Sequence, residues 1–475
     1  MRRVRPEEAL LPYEPTAEDP FDRRKAAHLA RRAGFGATRA ELDRAEKNGL
    51  EATLDTFLHG KGDGESFAGL LEQVEAQLID LSRADGLRTW WLYRMLHTKD
   101  PLRERMTLFW HDHFATSIRK VYRGPLMLQQ NELFRQRGLG EFGELLLAVS
   151  RDPAMLIWLD NRLNVKSRPN ENYARELMEL FSLGRDRYTE KDIKEVARAF
   201  TGWHLRGNRF FFNQAQHDGG EKTLFGVKGK FDGKDVIDLI LARPECARFV
   251  TGKLWAHFVG PWAPSRAIGE LAEAFHADSC HVGRLVARIL RSRAFFSEQA
   301  WRARIAGPTD QFLRYSRLLG IKVNLAQAGR AIAGMGQALF EPPTVEGWKE
   351  EDAWLSARWS LSRMNGGALL SALRGTRGEP RFDAQGYARK HGLDTAKKCV
   401  DHFLELLVDG ELPDGVRRRL LYYMDHYDKG RTRRPAKPNA QGDVKNAYKL
   451  DWTHVDLKVR GLVHLILALP EAQVC

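Results

Sequence analysis

Apolar residues recur every three or four positions along most of this chain, which is the spacing of one face of an α-helix. The clearest run has apolar positions at Phe67, Leu70, Leu71, Val74, Leu78 and Leu81. The same spacing predicts further helices over residues 22–34, 87–97, 101–114, 125–149, 171–183, 190–201, 234–242, 244–259, 267–275, 281–295, 309–319, 326–339, 353–373, 396–408, 415–427 and 453–468. Strand-like alternation is visible only at 209–213 and 223–226. We therefore predict an all-α, mostly helical fold with a short β-hairpin-like insertion near 204–232.

The helical pattern divides the chain into three parts. Residues 1–21 are rich in proline and are predicted to form an extended leader. Residues 22–375 are predicted to form the core domain, and residues 376–475 a helical C-terminal extension. Within the extension, residues 428–447 place Lys and Arg among Gly, Pro and Asn, which predicts a basic, solvated loop. Contact of this loop with a polyanion is the alternative.

Composition narrows the class of protein. Of the 475 residues, 43% are hydrophobic and 29% are charged, which permits a sizeable core and excludes a chain that is disordered throughout. Lys and Arg number 75 against 62 Asp and Glu, so the formal net charge is +13. This excess fits an anionic small molecule or a polyanion as partner, and equally a basic protein that has no such partner.

Sequence signals for export and membrane insertion are weak. No stretch reaches ~18 apolar residues, the length of a membrane-spanning helix. Arg2 and Arg3 are not followed by the apolar run of a signal peptide. The four cysteines form no Cys-x-x-Cys pair, which removes zinc ribbons and thioredoxin-type motifs. We expect a protein of a reducing compartment, the cytoplasm.

The first candidate for chemistry is the pair His111 and His113, because His-x-His is a common spacing of metal ligands. In a regular helix each residue turns by ~100°, so His113 falls on the apolar face and His111 points nearly the opposite way. The two rings can share one ion only if the helix ends near Trp110 and the chain then extends. The alternative is structural: a core His113 and a His111 at the surface or behind the site.

The second candidate is the polar face of the helix predicted over residues 171–183. Asn170 is a typical N-cap, and Gly184 is a typical helix stop. The charged side chains on and beside this face are Glu171, Arg175, Glu176 and Glu179. Carboxylates gathered in this way can bind a cation or act as a general base. A solvated face with an Arg–Glu pair is the alternative.

The third candidate is a polar loop that contains His217, Asp218 and Lys222 around a Gly-Gly pair. Such a loop can bring a metal ligand and a charged group to one place. It is not a phosphate-binding P-loop, because the Gly-x-x-x-x-Gly-Lys-Thr spacing is absent. A polar turn without chemistry is the alternative.

The fourth candidate is a group of three segments that contain Trp or Phe, at residues 201–203, 253–259 and 342–348. Their Trp and Phe rings favour core packing, since aromatic side chains dominate core energetics. A stacking platform for sugars or bases is the alternative.

Taken together, these segments resemble the bacterial "domain of unknown function 1800" family. The matching stretches are residues 28–36, 105–117, 169–184, 188–190, 199–203, 217–218, 253–255 and 346–348. They span about residues 22–365, whereas the part after about 375 does not match the family pattern. The resemblance implies a mostly helical fold and carries no established activity. It favours one shared site for the polar residues in the matched stretches, which are His111, His113, Glu171, Glu176, His217 and Asp218.

The leading hypothesis is a metal-dependent enzyme, a hydrolase or a non-haem oxidoreductase, that acts on an anionic substrate. A divalent transition metal (Zn, Fe or Mn) would be bound by His111, His113, Glu176, His217 and Asp218. The general base would be Glu171 or Glu179, and the substrate anion would be held by Arg175 and Lys222. Two alternatives stay open: a non-enzymatic protein that binds a polyanion or nucleic acid, and a helical scaffold.

Overall fold

The computed structural model describes residues 1–60, 62–78, 80–321, 323–348, 351–371, 382–410, 412–425 and 452–475. Over these ranges the chain forms 22 α-helices and two antiparallel two-stranded sheets. The predicted mostly helical fold with a small β insertion is confirmed. The predicted basic loop at 428–447 and the predicted boundary near residue 375 lie outside the described residues.

The helices are numbered in chain order. They are α1 Arg23–Ala33, α2 Arg39–Leu58, α3 Gly64–Leu78, α4 Ala84–His97, α5 Pro101–His113, α6 Ile118–Val121, α7 Gly124–Arg137, α8 Phe142–Ser150, α9 Pro153–Trp158, α10 Asn172–Glu176, α11 Glu190–Ala199, α12 Gly233–Leu241, α13 Pro244–Phe258, α14 Ser265–Ala277, α15 Val282–Arg291, α16 Pro308–Leu319, α17 Leu325–Gly334, α18 Ala357–Ser371, α19 Ala384–Lys390, α20 Ala396–Val408, α21 Asp414–Asp425 and α22 Trp452–Leu467. A wider π-helical turn, Leu177–Ser182, follows α10 directly.

Local sequence sets where several helices begin. At α2, the Thr38 hydroxyl accepts a hydrogen bond from the Glu41 backbone N–H, and the Glu41 carboxylate accepts one from the Thr38 N–H. Thr189 and Asp192 form the same capping box at α11. Each box gives a partner to N–H groups that have none inside the helix, so these helix starts can be read from the sequence.

Packing of the apolar helix faces builds a continuous core. On α15 the buried positions are Val282, Leu285, Val286, Ile289 and Leu290. The largest fully buried rings in the core include those of Trp91, Trp110 and Trp255. The predicted helical spacing of apolar residues therefore corresponds to buried helix faces.

The terminal regions pack against this core. The N–H of Tyr13 donates to the Arg291 carbonyl at 2.8 Å, so the proline-rich leader lies along the body of the protein. Beyond residue 382, Asp409 accepts two hydrogen bonds from the Arg31 guanidinium, at 2.8 and 3.0 Å. Both of these charged side chains are buried.

The β insertion consists of two hairpins, β1 Trp203–Arg206 with β2 Arg209–Phe212 and β3 Lys222–Leu224 with β4 Val227–Gly229. In the order of the chain, both hairpins lie between α11 and α12. Within the described ranges, no helix is both long and apolar enough to span a bilayer.

Candidate functional site

A pocket of about 190 Å³ lies where α5 meets α13 and the loop that precedes Trp348. Three of the segments that carry the family resemblance contribute to its wall, through residues 105–113, Lys253 and residues 346–348; Ala256 and His257, just beyond the second segment, line it too. Asp310 of α16 and the ring of Trp354 complete the lining. Tertiary packing thus brings together segments that are up to about 240 residues apart in the sequence.

His111 has a structural role beside this pocket. Helix α5 continues through His113, so the two histidines leave the helix in different directions. The Nε2 atom of His111 accepts a hydrogen bond from the Phe340 N–H at 3.0 Å. Its ring packs against the rings of Trp91 and Trp348. Burial lowers the pKa of His111 to about 3, so the ring is neutral and holds the 340 loop in place.

His113, in contrast, lines the pocket. Its Nε2 atom lies 3.1 Å from the Phe181 carbonyl oxygen, which can only accept, so Nε2 carries the proton. The lone pair is therefore on Nδ1, which is buried and has no hydrogen-bond partner among the described residues. Burial, with a further contribution from the charge of Lys253, holds the pKa of His113 well below its usual value. The ring is thus a neutral acceptor.

His257 is the second pocket histidine, and it stands one helical turn after Lys253 on α13. Its ring meets that of Phe109 edge-on, with the centroids 5.0 Å apart. The Nε2 atom is buried and lacks a partner within the described ranges. Burial lowers the pKa of His257 well below its ordinary value, and the charges of Arg304, Arg105 and Arg32 lower it further.

The pocket wall includes two buried arginines. Arg105 is 3% exposed, and its Nη1 lies 2.6 Å from Asp310 Oδ1. Arg304 is 7% exposed, and its Nη1 donates to the carbonyl oxygen of His257 at 2.5 Å. Charges in such a weakly solvated place interact more strongly than at the surface.

A glycine places the loop over α5. The Trp348 N–H donates to Asp112 Oδ1 at 2.7 Å, which ties the loop to the helix. Gly347 has a φ of +88°, and a Cβ atom at this position would collide with the side chain and the carbonyl oxygen of Asp112. The segment Glu346–Trp348 therefore needs glycine at its centre for two reasons, its backbone conformation and this close approach.

Acidic side chains surround the outer rim. Arg185 joins Glu179, at 2.8 Å, to Glu346, at 3.3 Å, and Glu346 lines the pocket. Glu179 also accepts from the Tyr188 hydroxyl at 3.1 Å. Burial raises the pKa of Glu176, and the negative charges of Glu179 and Glu346 raise it further. Glu179 of the predicted helix is thus linked to the pocket residue Glu346 through Arg185.

Glu171 and Arg175 do not reach the pocket. Arg175 makes a two-pronged ion pair with Glu190, at 2.8 and 2.9 Å, and lies 3.6 Å from Glu171. This is the solvated Arg–Glu arrangement that the sequence analysis gave as the alternative. Glu171 and Arg175 thus meet in ion pairs outside the pocket lining, and their expected roles as general base and anion holder stay predictions.

The 217–222 loop is likewise occupied by its own contacts. Asp218 forms an ion pair with Arg198 at 2.7 Å, which lowers the pKa of Asp218. The Lys222 ammonium donates to the carbonyl oxygens of Asp218, at 2.6 Å, and Gly220, at 3.1 Å. His217 Nδ1 lies 2.9 Å from the Thr201 carbonyl oxygen. The loop does not line the pocket, and these contacts give it a structural role.

The predicted metal ligands are not found together among the described residues. Across the parts of the chain that the structure describes, no group of three or more His, Cys, Asp or Glu side chains is placed to hold a metal ion. The continuous α5 helix separates the His111 and His113 rings. His217 and Asp218 are held by Thr201 and Arg198 in another part of the fold.

Several residues that line the pocket were not among the site residues predicted from the sequence. The spacing of Lys253 and His257 could have indicated a shared site, because residues four apart lie on the same face of a helix. Arg304, Asp310 and Gln337 gave no motif, and only folding places them in the pocket wall.

The fold and the pocket define a mostly helical protein with a polar, partly enclosed cavity. The model of the family described as "Protein of unknown function (DUF1800)" matches residues 28–474, and the chain belongs to this family. This confirms the resemblance and extends it past residue 365, where the sequence analysis had ended it. Neither a curated protein nor a solved structure matches the chain.

Proposed function

We propose that the pocket is the active site of a hydrolase that acts on a small anionic molecule, with His113 as general base. The observation that carries this proposal is the buried, unpartnered Nδ1 of His113 in a pocket lined by three family-matched segments. Polar atoms that are buried without a partner are uncommon, and each costs about 1–3 kcal/mol. Such an atom is expected where a ligand completes the hydrogen bonding.

An anion would bind at the positive side chains of the pocket wall, which are Arg105, Lys253 and Arg304, with Lys253 near His113. Three acidic side chains, Asp112, Asp310 and Glu346, line the same pocket. Asp310 offsets the charge of Arg105. Because the arginines are buried, a carboxylate, phosphate or sulfate group bound beside them gains a charge-assisted hydrogen bond. This transfers the expected role of anion holder from Arg175 and Lys222 to Lys253 and Arg304.

The proton chemistry follows from the tautomer of His113. In hydrolysis, a water molecule loses a proton to Nδ1 while its oxygen bonds to the reacting centre of the substrate. The bond to the leaving group then breaks, and the leaving group takes the proton back from Nδ1. The Phe181 carbonyl holds Nε2–H throughout and stabilises the transient imidazolium.

Neutral histidine suits this step. The lowered pKa keeps His113 unprotonated at neutral pH, so the base is in its active form.

The test is hydrolysis of anionic and neutral model esters, namely p-nitrophenyl phosphate, p-nitrophenyl succinate and p-nitrophenyl acetate. We expect turnover of an anionic ester and a loss of about 100-fold or more in kcat for His113→Gln. Gln keeps a donor for the Phe181 carbonyl and lacks the Nδ1 base. The matched control is His111→Gln, which keeps the acceptor for Phe340 and should stay active. Equal rates for His113→Gln and wild type would refute the base assignment.

Metal-dependent chemistry is the competing mechanism, and elemental analysis separates the two. The acid–base proposal expects well under one equivalent of Zn, Fe or Mn in the purified protein, and activity that survives dialysis against a chelator. One equivalent of metal that is lost together with activity would restore the metal-centre hypothesis.

A further inference from the structure

An open groove of about 470 Å³ lies between the β1–β2 hairpin and the turn Asn161–Leu163. The groove and the pocket described above share no lining residue. The basic side chains in its wall are Arg123, Arg162, His204 and Arg206. Among the described residues, no Asp or Glu lines the groove.

The hairpin presents this charge on one face because successive side chains along each strand point to opposite faces. His204 is paired with Phe211 and Arg206 with Arg209, so these four side chains share one face. On the other face, Trp203 is buried and packs against Phe210, with ring centroids 5.1 Å apart. The apolar face thus anchors the hairpin, and the outer face carries the charge.

The groove arginines are the next feature, and their contacts are known for the described residues alone. Over the described ranges, none of Arg123, Arg162 and Arg206 pairs with a carboxylate. Arg123 donates to the Asn208 side-chain oxygen at 2.8 Å, and the Arg206 guanidinium lies 4.0 Å from the centre of the Phe211 ring. By contrast, the nearby Arg198 pairs with Asp218. Three guanidinium groups thus line one groove, and the described part of the chain supplies no carboxylate that pairs with them.

His204 contributes its imidazole ring to the groove wall. Its Nδ1 lies 2.6 Å from the Arg162 carbonyl oxygen, so Nδ1 carries the proton and joins the turn to the hairpin. The lone pair on Nε2 is shielded from solvent and has no partner in the described part of the chain.

We propose that this groove binds a phosphate ester of small-molecule size. Guanidinium forks match the oxygens of a phosphate group in a bidentate manner, and three of them favour a doubly charged group over a carboxylate. The volume falls within the range of about 300–1,000 Å³ that is usual for small-ligand sites. Leu163, which is 56% exposed, offers an apolar wall for a ring. The side-chain amides of Asn213 and Gln216, which also line the groove, can form hydrogen bonds with the polar edge of that ring.

Nucleoside phosphates and sugar phosphates share this chemistry, and a calorimetric titration distinguishes them. The probes are adenosine monophosphate, glucose 6-phosphate and inorganic phosphate, each with the full-length protein. We expect at least one ester to bind in the micromolar range and inorganic phosphate to bind at least tenfold more weakly, because it lacks the ring.

Variants locate the site. Arg162→Gln and Arg123→Gln should each weaken binding of the ester by about tenfold or more, since each removes a charged donor. The matched control is Arg209→Gln, which lies on the same hairpin face, does not line the groove and should change binding less than twofold. All three arginines are exposed, so these variants are expected to keep the wild-type melting temperature.

Three results would overturn the proposal. They are no binding of either ester at millimolar concentration, an unchanged affinity in Arg162→Gln, and inorganic phosphate binding as tightly as the esters. Tighter binding of a single-stranded oligonucleotide than of the mononucleotide would also overturn it, in favour of a polymer site. Unchanged ester binding in His113→Gln would show that this site is independent of the proposed active site.

Discussion

His113 donates its Nε2–H to the carbonyl oxygen of Phe181 across 3.1 Å. Phe181 belongs to the π-helical turn that follows α10, so a backbone group from one matched segment orients the ring of another. A π-turn exposes carbonyl groups differently from an α-helix, and such turns occur often at functional sites. This contact determines which ring nitrogen of His113 carries the proton and which carries the lone pair.

The pH dependence of hydrolysis should reflect this environment. Because the pKa of His113 lies well below 6.5, kcat/KM for the anionic ester should stay level from pH 8 to about pH 6. A rate that falls through pH 6.5 would indicate a solvated histidine and contradict the assignment. The measurement is a pH–rate profile, with a substrate whose own charge is constant over this range.

Lys253 should act on substrate binding. Lys253→Met removes one positive charge from the pocket, so KM for the anionic ester should rise by about tenfold, with a smaller change in kcat. KM for the neutral ester should stay within about twofold. Lys234→Met is the control, because Lys234 pairs with Asp238 and does not line the pocket. Equal KM changes for both esters would argue against an electrostatic role.

Gly347→Ala should distort the pocket. The added Cβ would collide with Asp112, and the φ of +88° is strained for alanine, so we expect a loss of about 2–5 kcal/mol in the free energy of unfolding. The control is Gly334→Ala in α17, where a Cβ meets nothing within 4 Å and the helical backbone accepts alanine. Urea denaturation measures the free energy of unfolding of both variants. An equally small change in Gly347→Ala and Gly334→Ala would show that the loop can move away from Asp112.

Stability should fall in mild acid because of buried histidines. The pKa of His111 is about 3 in the folded protein, against 6.5 as its ordinary value. The unfolded chain therefore binds the extra proton between these pH values, so this contribution to stability is full above pH 6.5 and is lost as the pH falls. At pH 5 the loss is about 2 kcal/mol for one such group. His28 and His113 shift in the same direction.

The variant His111→Gln tests this prediction. It keeps an acceptor for the Phe340 N–H and removes the titrating ring. Urea unfolding at pH 7.5 and pH 5.0 should show a smaller loss of stability in the variant than in the wild type. An identical loss would mean that other groups cause the acid sensitivity.

The Arg31–Asp409 pair should couple the C-terminal helices to the core. Asp409→Asn leaves the buried Arg31 charge without its partner, so we expect a loss of about 3–5 kcal/mol in unfolding free energy. Glu270→Gln is the control, because Glu270 and Arg266 form an exposed pair of a kind that contributes about 0–1 kcal/mol. A small effect of Asp409→Asn would indicate that water reaches Arg31.

Sequence periodicity predicted the helical class well because helix formation depends on neighbours three and four residues apart. The capping boxes at Thr38 and Thr189 show the same locality, since each is complete within four residues. His113 could also be predicted as a candidate site residue, because it belongs to a His-x-His motif. The residues around it could not be predicted, because Phe181, Lys253 and Arg304 lie on separate segments of the chain.

The grouping of polar motifs into one site was the part that sequence alone could not decide. His111, Arg175 and Asp218 are each engaged by a partner that no local pattern reveals: the Phe340 backbone, Glu190 and Arg198. A polar residue in a motif serves chemistry or structure according to what packing places against it.

The sequence by itself determined the helical class, the family and the positions of several helix starts, because these depend on local spacing and on long motifs. Tertiary structure decided which side chains face a cavity and which nitrogen of His113 is free. It also decided that the charge of the hairpin gathers in a groove. These properties depend on contacts between residues that are far apart in the chain, and such contacts exist only after the core has packed.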